Sequence, residues 1–140
     1  MKLYHFTASQ HIGKIRKAGL VHGMIPARID QNGQLIAFRG WQWLTAEPDW
    51  DKQDWDQPSV SGLPIRRTDW RITLDIPELS PWRNRLWPFG AWLLKHPVPA
   101  GEYFQKFNIR HWYVYQGRIP ASWFLEIDSN PILKVIPDHA

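Results

Sequence analysis

The chain of 140 residues contains no cysteine. That excludes disulfides, thiolate nucleophiles and cysteine-ligated zinc or iron–sulfur centres. A membrane-spanning helix needs about 20 consecutive apolar residues, and no such run occurs, so no membrane partner is expected. Met1-Lys2 leads straight into a strand pattern without the apolar core of a signal peptide, and the expected setting is the cytoplasm. There is no Gly-rich dinucleotide fingerprint, no Walker loop and no Gly-x-Ser-x-Gly string. The six histidines show no His–His–carboxylate spacing, so no metal is expected. Asp49, Asp51, Asp54 and Asp56 alternate as calcium ligands do. Counted from Asp49, however, the sixth and twelfth positions are Asp54 and Val60, where an EF-hand loop needs Gly and Glu. A solvated acidic loop is the simpler reading.

Apolar and aromatic matter is abundant. Hydrophobic residues make up 44% and charged residues 21%, a balance that builds a folded core. The length suits one domain over residues 1–140. The net charge of +4 is compatible with nucleic acid or an anionic cofactor. Ten tryptophans stand out. Each either fills a core or stacks on a flat ring such as nicotinamide, adenine or an unpaired base.

Patterning gives the elements. Residues 2–7 read as a strand. Residues 9–18 read as a short helix, with Ser9 as N-cap, Ile12 and Ile15 on its apolar stripe, and Gly19 as terminator. Gly23 to Pro26 reads as loop, and Asp30-Gln31-Asn32-Gly33 as a turn. Gln34 to Thr45 predicts one or two strands broken at Gly40. Ala46 to Pro64 is a long polar connection of the kind that carries function. Trp70 to Ile76 alternates cleanly, as a half-buried strand does. Pro81 to Lys95 is partly helical, with Pro88 interrupting it. Glu102 to Phe107 suggests a helical turn. His111–Gln116, Trp123–Ile127 and Ile132–Ile136 suggest three more strands. The fold class is α+β: a single domain with a central, mostly antiparallel sheet and a few short helices.

His5 is the first candidate for function. Strand alternation sets Tyr4 and Phe6 on one face and Leu3, His5 and Thr7 on the other. An imidazole beside Leu3 needs a hydrogen-bond partner, either the backbone or a ligand. In the late strand, alternation groups Glu126 with Phe124. Arg66-Arg67, Arg71, Arg28 and Arg39 are either solvated or in contact with phosphate, whether a cofactor pyrophosphate or a nucleic-acid backbone.

The string Leu3-Tyr4-His5-Phe6-Thr7, followed by a short helix ending in Gly19-Leu20, resembles the first motif of the ADP-ribosyltransferase fold. That group includes the poly-ADP-ribose polymerases, diphtheria-like and DNA-targeting toxins, and RNA 2′-phosphotransferases. Three further segments, Trp43 to Pro48, Arg71 to Pro77 and Trp112 to Pro120, resemble small uncharacterised bacterial and phage proteins with the same N-terminus. The resemblance implies NAD as cofactor. It makes His5 the ribose contact and Glu126 the carboxylate that stabilises the transition state as nicotinamide leaves. No Tyr-Phe-Gly-type helix start occupies the middle position. Trp43 or Thr45 stands there, and Trp43, Trp50 or Tyr113 would stack on nicotinamide. His5, Thr7, Trp43, Thr45 and Tyr113 are thus the expected cofactor-binding set, with Glu126 and His5 catalytic. The implied activity is cleavage of the nicotinamide–ribose bond and transfer to a protein or nucleic-acid acceptor. The alternative is a module of the same fold, without catalysis, that binds nucleic acid or a protein partner. An RNA 2′-phosphotransferase activity is a third reading, carried by the N-terminus alone.

Overall fold

The computed structural model describes residues 1–53, 55, 67–76, 85–96 and 108–134. The expected turn at 102–107, most of the 46–64 connection, Arg66 and the end of the last expected strand lie outside these residues. In chain order the elements are β1 (Lys2–Thr7), α1 (Ser9–Ala18), β2 (Met24–Ile29), β3 (Leu35–Arg39), β4 (Trp41–Thr45), β5 (Trp70–Asp75), β6 (Leu86–Pro88), α2 (Phe89–Lys95), β7 (Trp112–Gln116) and β8 (Phe124–Ser129). Among the described residues, six strands form one sheet in the order β6-β7-β4-β1-β5-β8, and every neighbouring pair is antiparallel. β2 and β3 form a separate hairpin. The α+β class with a mostly antiparallel sheet and short helices is therefore observed.

The α1 boundaries match the apolar stripe, but its cap does not come from where the local sequence suggests. Ala8 occupies the N-cap position and makes no side-chain cap bond. Instead, the backbone N–H and the hydroxyl of Ser9 both donate to Asp69 Oδ2 at 3.0 Å. A carboxylate at a helix N-terminus satisfies orphan N–H groups and suits the helix dipole. Here it is supplied from 60 residues along the chain, which ties the start of α1 to the start of β5. At the other end Gly19 has φ +80°, and a Cβ there would run into the carbonyl of Ile119. That close approach lets Leu20 exchange both backbone hydrogen bonds with Ile119, at 2.9 and 3.0 Å.

Three further expectations change. Met24 to Pro26 belongs to β2 rather than to a loop; Pro26 sits at a bulge in the two-stranded hairpin, where a missing donor is tolerated. Pro88 does not interrupt a helix. It closes β6 and stands at the N-cap of α2, where no intrahelical N–H is needed. Pro131–Lys134 forms a 3₁₀ turn where a strand is expected from Ile132. The break at Gly40 is observed, with φ +84° between β3 and β4.

Both faces of the sheet are covered. On one, Leu3, Leu44, Ile72, Leu74, Tyr115 and Ile119 pack with Ile12 and Ile15 of α1. On the other, Trp41, Val114 and Ile25 pack with Phe89 and Trp92 of α2, flanked by Trp43, Trp87 and Trp112. Most described tryptophans are thus core or rim of the α2 face.

Candidate functional site

The pairing of β1 is lopsided. Against β5 its ladder runs the whole strand, from Lys2–Asp75 to Thr7–Trp70. Against β4 it is paired only at Tyr4–Thr45. The sheet therefore consists of two halves, β1-β5-β8 and β4-β7-β6, joined at one ladder position. At that junction a side chain replaces the missing ladder: His5 Nδ1 lies 2.7 Å from the carbonyl oxygen of Trp43. A carbonyl can only accept, so Nδ1 carries the proton and Nε2 keeps its lone pair. Among the described residues nothing hydrogen-bonds Nε2. Desolvation by burial lowers the His5 pKa below its ordinary 6.5; the Trp43 bond opposes this and the nearby His11 adds to it. At neutral pH His5 is therefore a neutral imidazole presenting one acceptor.

Register sorts the expected site residues by face, because directly paired residues point the same way. His5 pairs with Ile72, and Tyr113 pairs with Leu44. Both Ile72 and Leu44 belong to the core under α1. His5 and Tyr113 therefore lie on the α1 face, on strands either side of β4, with Leu44 between them. Tyr113 is half-buried, and its hydroxyl has no bond among the described residues. Thr7 is buried on the same face at the end of β1.

Trp43, Thr45 and Glu126 belong to the other face. Trp43 is fully engaged there. Its indole N–H donates to the Met24 carbonyl at 2.7 Å, and its ring packs on Phe89 and Trp112 with centroids at 4.8 and 5.3 Å. The Thr45 hydroxyl accepts from Glu47 N at 3.1 Å and closes the end of β4. Glu126 is exposed on β8 and pairs with Thr73, which is opposite in sense to the His5–Ile72 pair. A bulge causes this. Thr73 faces Glu126 while Leu74 faces Phe124, so Leu125 is an extra residue, and Phe124 and Glu126 fall on opposite faces. The structure does not bring Glu126 and His5 together.

Gln42, which the sequence reading passed over, and Arg71, expected there to be solvated or in contact with phosphate, hold the site in place. Gln42 is buried at 2% exposure. Its carbonyl accepts from Gly23 N at 3.0 Å and its amide donates to the Gly117 carbonyl at 3.1 Å, strapping two turns to β4. Arg71, on the α2 face of β5, donates to the Pro48 carbonyl at 2.8 Å and to Asp128 Oδ2 at 3.2 Å. Its guanidinium lies 4.8 Å from the Trp50 ring centroid and 5.9 Å from that of Tyr4. Trp50 in turn meets Phe6 edge-on at 5.4 Å. The start of the polar connection is thus bound down beside the junction. The only sequence signal for Gln42 is a polar residue inside an aromatic strand; for Arg71 it is its place in the basic cluster.

Of the acidic run, Asp49 accepts from Asp51 N at 2.9 Å and caps the 3₁₀ turn Trp50–Lys52. Among the described residues no group of three or more His, Asp or Glu is placed to hold a metal ion. No helix of the described residues is long and apolar enough to cross a membrane. Arg28 and Arg39 are exposed on the β2–β3 hairpin. No protein-family model matches this chain, and neither the curated proteins nor the solved structures contain a match to it.

Proposed function

We propose that the chain binds NAD at the junction of the two half-sheets and, as an ADP-ribosyltransferase-like enzyme, cleaves the nicotinamide–ribose bond for transfer to a macromolecular acceptor. The observation that carries this reading is the His5 imidazole held by Trp43 at the one place where the sheet is nearly unpaired. A neutral imidazole with a free acceptor nitrogen suits a ribose hydroxyl, which needs an acceptor when it leaves water. Tyr113, on the same face, offers a half-exposed ring for stacking, whereas the Trp43 ring packs on Phe89 and Trp112 on the other face of the sheet. His5 and Tyr113 bind and orient the dinucleotide in this reading, and Glu126 takes no part at the His5 side.

The separation of Glu126 from His5 favours a second reading: the same site binds without catalysis, and the domain acts by engaging a nucleic acid or a protein partner. One experiment separates the two. Thermal melting is followed with and without millimolar NAD, and nicotinamide release is measured in parallel by chromatography. A ligand at about 100-fold its Kd stabilises by about 2.7 kcal/mol. The NAD-binding reading expects a raised Tm in the parent chain that is lost in His5→Ala and reduced in Tyr113→Leu. Nicotinamide release supports the enzyme; a shift without release supports the binding module. No shift overturns both as far as NAD is concerned.

A further inference from the structure

The two edges of the main sheet are protected very differently. β6 is three residues long, ends in Pro88 and runs directly into α2. β8 spans six residues, Phe-Leu-Glu-Ile-Asp-Ser, with neither proline nor lysine, and is the outermost of the described strands on its side. Its guards are the Leu125 bulge and the acids Glu126 and Asp128, and a strand of this length still presents N–H and C=O groups to another strand. Leu125, the bulged residue, is 57% exposed. Beside it runs a groove of about 380 Å³ lined by Arg16, Ala121, Phe124, Leu125, Glu126 and Ile127.

Charge narrows the occupant. The chain is basic overall, yet this edge carries Glu126 and Asp128, both paired to the α2 face of β5. Asp128 shares Arg71 at 3.2 Å, whereas Glu126 has no ion partner among the described residues. On the α1 side the groove sets the apolar Ala121, Phe124, Leu125 and Ile127 between Glu126 and Arg16, whose guanidinium lies 5.2 Å from the Trp70 ring centroid. In two of its central registers a second copy meets like charge. Antiparallel self-pairing of β8 centred on Glu126 or on Ile127 sets Glu126 against Glu126 or against Asp128, and like charges directly opposite are destabilising. The same acids repel a phosphate backbone.

We propose that the β8 edge accepts an extended segment of a partner protein as an added antiparallel or parallel strand. The segment alternates, with basic side chains toward Glu126 and Asp128 and apolar side chains toward the groove. Main-chain pairing supplies affinity, and the two faces supply selectivity. This inference rests on residues apart from the NAD site and stands or falls separately from it.

The test uses two end-blocked peptides of about ten residues, the upper end of ordinary strand length. One alternates valine with lysine, the other valine with glutamate, and each is titrated into the intact chain by fluorescence anisotropy. The valine–lysine peptide is expected to bind, with affinity falling as salt is raised, while the valine–glutamate peptide does not. Glu126→Lys, an exposed substitution whose folding is checked by circular dichroism, should weaken the first peptide about tenfold. Amide NMR shifts on binding should centre on residues 124–129. Binding of neither peptide, equal binding of both, indifference to Glu126→Lys, or shifts elsewhere would overturn the proposal. So would a concentration-dependent dimer in sedimentation that Glu126→Lys disrupts, since the edge would then belong to a second copy.

Discussion

A histidine whose Nδ1–H is spent on a neighbouring carbonyl is fixed in tautomer and orientation, and its remaining nitrogen can only accept or take up a proton. His5 is in that state, and burial disfavours its protonation. The sign of the linkage follows. The folded pKa lies below the ordinary 6.5, so the unfolded chain takes up the proton first as pH falls. The His5 contribution is therefore intact above 6.5 and is lost as pH falls from there toward the folded-state value. Urea midpoints measured at about pH 7.5 and about pH 5.5, either side of the imidazole range, should differ less for His5→Gln than for the parent chain. An equal difference would mean that His5 is solvated. Gln42 is the other residue whose environment sets its role. Replacing it by Leu leaves the Gly23 N–H and the Gly117 carbonyl without their partner. An unfolding free energy lower by about 3 kcal/mol is expected, since each unsatisfied buried group costs about 1–3 kcal/mol. Equilibrium urea unfolding measures it.

At the scale of elements, several contacts tie segments far apart in the chain. Asp69 caps α1, and Asn130 donates to the Thr68 carbonyl at 2.9 Å, so the start of β5 is held by α1 on one side and by the end of β8 on the other. Arg71 does the same for the connection after β4. It holds the Pro48 carbonyl and the Trp50 ring against β5. Removing it in Arg71→Ala releases the 3₁₀ turn Trp50–Lys52, and Lys52 in that turn is a trypsin site. Limited proteolysis should cut after Lys52 about tenfold faster in the variant, because cleavage follows local opening. An unchanged rate would show that Gln53, whose amide donates to the Glu47 and Asp49 carbonyls at 3.0 and 2.9 Å, holds the turn without Arg71. Alternation made β5 and β7 legible as strands, apolar and aromatic content did so for β1 and β4, and spacing made α1 legible as a helix. The cap of α1 was not legible, because its donor and acceptor are 60 residues apart. β6 was missed because three residues of strand leave no periodicity to detect.

On the scale of the whole molecule, the sheet is two halves sharing the Tyr4–Thr45 pair, with α1 on one face and α2 on the other. The division of the expected site follows from this layout. Residues that look equivalent in the sequence fall on different faces: His5, Thr7 and Tyr113 under α1, and Trp43, Thr45 and Glu126 toward α2. Periodicity correctly paired His5 with Leu3 and Thr7. It could not carry that parity across to other strands, since parity between strands depends on register. For Glu126 it failed even within the strand, because one bulged residue, Leu125, inverts the alternation.

The amino-acid sequence by itself determined the class of fold, the strand faces of β1 and β5, the helix 9–18 with its glycine terminator, and the absence of thiol chemistry. These depend on residue type and on spacings of a few positions, which act locally. Only the tertiary structure decided that β1 and β4 meet at a single pair, that His5 bridges them through Trp43, and that Glu126 lies across the sheet at an exposed edge. These depend on register and on contacts between distant segments, and a one-residue bulge, invisible to local patterning, is enough to send a side chain to the other face.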